Sequence, residues 1–151
     1  YMIPVWKERM IAHANNLTEE GIQIFLDSMR TGHKYKLVAY QGCRIIGLLA
    51  NFDRDKYGNE IRERVANLGG ITATTMAMGS HMVSAQVQSM GCFAIQALVD
   101  GHKNHTHQVI ELGAVDVVSW VLQHHGALDA DIAEYCSAAV ASLAYDPLGA
   151  S

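Results

Sequence analysis

Leu68-Gly69-Gly70-Ile71-Thr72-Ala73-Thr74-Thr75-Met76-Ala77-Met78 returns, in changed letters but the same pattern, as Leu112-Gly113-Ala114-Val115-Asp116-Val117-Val118-Ser119-Trp120-Val121-Leu122. A looser copy stands earlier, from Glu19-Glu20-Gly21-Ile22 to Asp27-Ser28-Met29. Each copy is followed by a second apolar stretch: Tyr40 to Ala50, Met90 to Val99, and Cys136 to Ala144. Gly21 to Leu49 and Gly70 to Leu98 are both 28 residues, and Ala114 to Leu143 is 29. Gly70 to Ala114 is 44 residues and Gly21 to Gly70 is 49; the five extra residues fall in the charged stretch Phe52 to Glu60, a surface loop where insertion costs little. Aligned on the leucines, Cys136 takes the place of Gly42 and Gly91. The columns Ile46, Ile95, Val140 and Leu49, Leu98, Leu143 then form the expected core, continuous from copy to copy.

Helices are the elements that fit these copies. The only prolines are Pro4 and Pro147, so nothing between them forbids a helix. Apolar residues recur at helical spacing from Gln23 to Met29, Leu37 to Leu49, Ser84 to Leu98, Val115 to Leu122 and Ile132 to Leu143. Strict alternation and Asn-Gly turns are absent. The chain is expected to be all-α. Each unit would hold a short helix (Tyr57 to Asn67, or His105 to Glu111), a second helix and a longer third one, with glycine at the first corner to allow positive φ. Val5 to Asn15, with Trp6, Met10 and Ile11, would open the first unit. Gly42, Gly91 and Cys136 are read as small where neighbouring third helices approach closely.

The 151 residues suit a single domain, 1-151, of three units at about 4-51, 57-100 and 104-145. With 11 lysines and arginines against 15 acids the formal charge is −4, which argues against nucleic acid as a partner, since that needs a basic face. Half of the residues are hydrophobic, which excludes a disordered chain. The longest apolar stretch, Leu37 to Phe52, is interrupted by Gln41 and Arg44 and is shorter than the roughly 20 residues of a membrane helix, so no membrane insertion is expected. No basic start leads into an apolar run, so no targeting segment is expected either. Three widely spaced cysteines, 43, 92 and 136, make a poor disulfide framework. Packed helix axes lie about 8–10 Å apart, against the roughly 7 Å limit between Cα atoms in a disulfide, which argues against a Cys43–Cys92 bridge. Reduced thiols, and with them an intracellular, cytoplasmic setting, are expected.

A 44-residue helical period falls in the armadillo and HEAT range. The sequence resembles armadillo repeats in particular. The features that carry the likeness are Asn67-Leu68-Gly69-Gly70-Ile71 and Glu111-Leu112-Gly113-Ala114-Val115 at the corners, Ala85-Gln86-Val87-Gln88-Ser89-Met90-Gly91-Cys92 opening a third helix, and the endings Ala97-Leu98 and Ser142-Leu143-Ala144. It covers about residues 17 to 145 and implies an α-α superhelix, an armadillo-type solenoid of about three three-helix repeats. It also implies a recognition scaffold whose third helices line a groove for a protein or peptide partner. Members such as importin alpha place Trp and Asn four residues apart on each third helix. Here those positions hold Arg44, Phe93 and Ala138, and Leu48, Ala97 and Ser142, so backbone reading of that kind is not implied.

The expected groove is instead mixed: Tyr40, Arg44, Asn51, Phe93, Gln96, Asp100, Glu134 and Tyr145. Aromatics and arginine are the residue types that anchor interfaces. Packing between third helices is the competing role for Phe93 and Tyr40, and solvation for Arg44. Eight histidines invite a metal reading, densest at His102, His105 and His107. Zinc needs three or four converging ligands, whereas His105 and His107, two apart at a helix start, face different directions. The cluster is expected to be a solvated loop that caps the following helix. No metal or cofactor is expected, and no phosphate loop, Gly-x-Ser-x-Gly or His-Glu-x-x-His motif points to an enzyme. A metal- or thiol-dependent enzyme is the outlying alternative. The nearer alternative is a structural subunit of a multi-subunit assembly, with groove and ends permanently buried.

Overall fold

The computed structural model describes residues 19–51, 60–100 and 102–144. Among the described residues every regular element is a helix: α1 (Glu19–Thr31), α2 (Lys36–Asn51), α3 (Glu60–Asn67), α4 (Gly70–Ser80), α5 (Ala85–Val99), α6 (Lys103–Glu111), α7 (Ala114–His125) and α8 (Ala130–Ala144). The all-α expectation holds for them. The expected opening helix with Trp6, Met10 and Ile11, the stretch 52–59, and Tyr145 lie outside the described residues.

The corners form for the reason the glycines suggest. Gly69 and Gly113 stand at φ 107° and 78°, the left-handed region, and turn α3 into α4 and α6 into α7. A side chain there would strain the backbone. Side chains start the following helices: Ser84 accepts from the Val87 N–H at 3.3 Å, and Asp129 accepts from the Ile132 N–H at 3.0 Å. Gln88, fully buried in α5, closes the end of α4 by donating from Nε2 to the carbonyls of Met78 (2.9 Å) and His81 (2.7 Å).

The broadest packing joins α2 to α5 and α5 to α8, with α4 and α7 against the other side of α5 and α8. Buried residues recur along the three long helices as Cys43, Ile46 and Ala50, then Cys92, Ile95 and Val99, then Cys136, Ala139 and Leu143. This corrects the expected register. Val140 is 37% exposed, and Ala139 takes the place next to Ile46 and Ile95. Cys136 therefore matches Cys43 and Cys92, and Tyr135 falls where Gly42 and Gly91 stand. Those glycines also serve a different neighbour. A Cβ on Gly42 would meet Met29, and one on Gly91 would meet Met78, so each receives a methionine from the preceding helix. The glycine that lets two long helices close up is Gly47, where a Cβ would strike the Phe93 ring.

The expectation of reduced thiols is corrected too. Cys92 and Cys136 form a disulfide that ties α5 to α8, their Cα atoms 4.9 Å apart. The axis separation was the wrong ruler. Facing Cα atoms each stand about 2.3 Å off their axes, so axes about 8–10 Å apart bring them within about 3.4–5.4 Å. With this bond the ground for an intracellular setting falls away. Cys43 remains a free thiol; it is fully buried, and burial pushes it up to about 12.

The turns between second and third helices share one form and are laced together by histidines. A backbone bond closes each turn, from Tyr35 N–H to Gly32, Ser84 N–H to His81 and Leu128 N–H to His125. His33 Nδ1 meets Ser80 Oγ at 2.6 Å, and His81 Nε2 donates to the His33 carbonyl at 2.8 Å. His125 Nε2 donates to the Met82 carbonyl at 3.0 Å.

Candidate functional site

The side chains expected to form a groove are carried by the three long helices. Tyr40, Arg44 and Asn51 stand on α2, Phe93 and Gln96 on α5, and Glu134 on α8, with Asp100 at the residue just past α5. Asn51, Asp100 and Glu134 are exposed, and Tyr40, Arg44, Phe93 and Gln96 are half-buried. The Asp100 backbone is fixed from both sides: its N–H donates to the Gln96 carbonyl at 3.0 Å, and its carbonyl accepts from Arg62 Nη1 at 2.7 Å.

Phe93 is the residue best defined among them. Its ring covers Gly47 of α2 and tilts at 54° against Tyr135 of α8, with centroids 5.3 Å apart. It thus spans all three long helices and keeps part of its ring open. An aromatic held on two sides has lost its rotamer freedom before any partner arrives, which is the condition for an interface anchor. Tyr135 and Gly47 escaped the sequence reading. The signal was the 44-residue spacing of Cys92 and Cys136, which puts Tyr135 beside the bonded pair.

A cavity of about 450 Å³ opens between α3 and α6, lined by Glu63 and Asn67 on one side and by His102, Asn104, His105, His107 and Gln108 on the other. His102 caps α6, its Nδ1 accepting from the His105 N–H at 3.3 Å while its Nε2 lies 3.2 Å from Glu63 Oε1, but the expected solvated loop is corrected: His105 and His107 lie within α6, and His105 is buried. Both nitrogens are engaged, and neither offers a lone pair to a metal. The His105 ring stacks on His102 with centroids 3.5 Å apart and turns its Nδ1 to the Leu98 carbonyl at 2.7 Å. A carbonyl only accepts, so that nitrogen holds the proton. Burial lowers the His105 pKa, opposed by the bond to Leu98 and assisted by nearby His102 and Arg62. His107 is exposed. No group of three His, Cys, Asp or Glu side chains placed to hold a metal ion occurs among the described residues.

No family model, curated protein or solved structure matches the chain. Among the described residues no helix is long and apolar enough to cross a membrane.

Proposed function

We propose that the chain is a non-catalytic recognition scaffold of the armadillo type, in which α2, α5 and α8 together hold a segment of a partner protein. The observation that carries this reading is Phe93, half-open and braced by Gly47 and Tyr135 across the three long helices. Arg44 stands on the same set of helices, and exposed Asp100 and Glu134 provide opposite charge for orientation. The repeat-like framework is supported by pairs that recur at fixed spacing: Met29 with Gly42 and Met78 with Gly91, and the left-handed glycines 69 and 113.

The test is a photo-crosslinking residue placed at Arg44 or Glu134, and separately at Asp116 on α7 as a control. Crosslinks to one partner from the first two sites, and none from the third, are the expected result. Equal capture from all three would remove the groove. The charge reversal Arg44→Glu with Glu134→Lys should weaken capture at least tenfold while helicity stays unchanged, about 1.4 kcal/mol of binding free energy. Phe93→Ala is a poorer probe, since its ring also packs against Tyr135.

A structural subunit with buried ends is the second reading. It is favoured by Ile110, Val115 and Val140, exposed on the last three helices, and by Leu112, exposed at the corner between α6 and α7.

A further inference from the structure

A neutral histidine has one nitrogen that donates and one that accepts, and in His105 only the first is used. Its Nδ1–H donates to the Leu98 carbonyl of α5 at 2.7 Å, which leaves the lone pair on Nε2. Nothing among the described residues donates to that lone pair, although the side chain is only 2% exposed. The two nitrogens point nearly opposite ways around the ring, so the bond to α5 turns Nε2 away from that helix. His105 is also one of the residues that line the cavity between α3 and α6. A buried acceptor without a donor costs stability, and most such groups in folded proteins find a partner. Burial, assisted by nearby His102 and Arg62, keeps the ring neutral at neutral pH and its lone pair available.

The rest of the wall is polar too. Glu63 Oε1 lies 3.2 Å from His102 Nε2, and its second oxygen has no partner among the described residues. The side-chain amides of Asn67, Asn104 and Gln108, all exposed, likewise make no hydrogen bond with the described residues. The wall thus offers two acceptors, Nε2 and the Glu63 carboxylate, and three amides that both donate and accept. Charge narrows the fit. A negative group would face Glu63, and a positive one would approach the buried Arg62 near His105. A neutral molecule with several hydroxyls suits both, because each hydroxyl can donate to one neighbour and accept from another. The volume of about 450 Å³ falls in the range of small-molecule sites, about 300–1,000 Å³, but the lining lacks the apolar side chains that dominate most of them.

We infer that this cavity binds a neutral polyhydroxylated small molecule the size of a monosaccharide, which donates one hydroxyl to His105 Nε2 and another to Glu63 and is held by the amides of Asn67, Asn104 and Gln108. Neither the groove nor the repeat reading is needed for this, so crosslinking at Arg44 can fail without touching it.

The test is an NMR titration of the full chain, isotope-labelled at nitrogen, with glucose, galactose, ribose and myo-inositol in turn, and with ethylammonium and acetate as charged controls, each up to tens of millimolar. At least one neutral probe should move amides of α3 and α6 saturably. It should also shift the His105 Nε2 resonance upfield, as accepting a hydrogen bond does. His105→Asn keeps a donor near the Leu98 carbonyl but removes Nε2, and should weaken binding at least tenfold. Asn104→Ala with Gln108→Ala, both at exposed sites, should weaken it by a smaller factor with circular dichroism unchanged, and replaces His105→Asn if that variant fails to fold. The inference is overturned if no neutral probe binds saturably, or if a charged control binds there as tightly as the best neutral one. It is overturned equally if the Nε2 resonance stays put at saturation, or if a folded variant binds like wild type.

Discussion

Residues 60–100 and 102–144 each form three helices in the same order, short, middle and long, yet their surroundings differ. α5 lies between α2 and α8, whereas α8 has α5 on one side and exposed Ala138 and Ala141 among its outer residues. Among the described residues, α5 is packed by long helices on both sides, α2 and α8, whereas α8 has α5 as its one long-helix neighbour, with α6, α7 and a covalent bond beside it. The Cys92–Cys136 bridge joins the well-packed helix to the half-packed one. Similar inner side chains are therefore expected to differ in local stability, because where helices stack a unit's neighbours contribute as much as its own residues.

The largest expected effect comes from cutting that bridge. It closes a loop of 44 residues, and loop entropy then stabilises the folded chain by about 4 kcal/mol. The double variant Cys92→Ala with Cys136→Ala should lose up to that amount in urea unfolding. Hydrogen exchange should show where: amides of α7 and α8 should lose protection first, and those of α4 last. Uniform loss across both would break the comparison, since it would mean the chain opens only as a whole. Alkylation in denaturant should label one cysteine before reduction and three after it.

The bridge also marks where the sequence could be read and where it could not. Corners at Gly69 and Gly113 were legible because positive φ admits few residues other than glycine, so a spatial demand leaves a chemical trace. The register of α8 was not, because Leu143 resembles Leu98 more than Val99, its true counterpart. Hydrophobic matching favours the larger side chain, whereas the long helices meet through small ones, such as Cys136 and Ala139, that carry little periodic signal. One residue of slip hid Tyr135, and with it the neighbour that braces Phe93. Phe93 itself could be picked out by type alone, but its seat on Gly47 depends on how α2 and α5 approach.

A smaller effect separates the two corners. Gly69→Ala and Gly113→Ala both force a side chain into the left-handed region, at about 1–2 kcal/mol. A Cβ at Gly69 would also strike the Arg30 guanidinium, whereas at Gly113 it meets nothing within 4 Å. The middle corner should therefore lose more than the last. Gly113→Asn should recover part of the loss, as asparagine tolerates this conformation, and urea midpoints would rank the three. Equal losses at the two corners would show that Arg30 moves aside freely.

The smallest difference at neutral pH, and one that grows on acidification, lies at a single buried position. Where α3 has Ile61, α6 has His105, 2% exposed, its Nδ1 on the Leu98 carbonyl and its ring against His102. Burial holds its folded pKa below the ordinary value of 6.5. Above that value the ring is neutral in both folded and unfolded chains, and its packing contributes in full. As pH falls below it, the unfolded chain takes up a proton that the folded chain resists, so stability is lost down to the folded pKa. Wild type should therefore unfold at lower urea at pH 5.5 than at pH 7.5, with α6 losing exchange protection before α3. His105→Ile gives the last helices the side chain of the middle ones and should flatten this dependence, whatever it does to stability at pH 7.5. An unchanged slope would remove His105 as the source of the acid sensitivity.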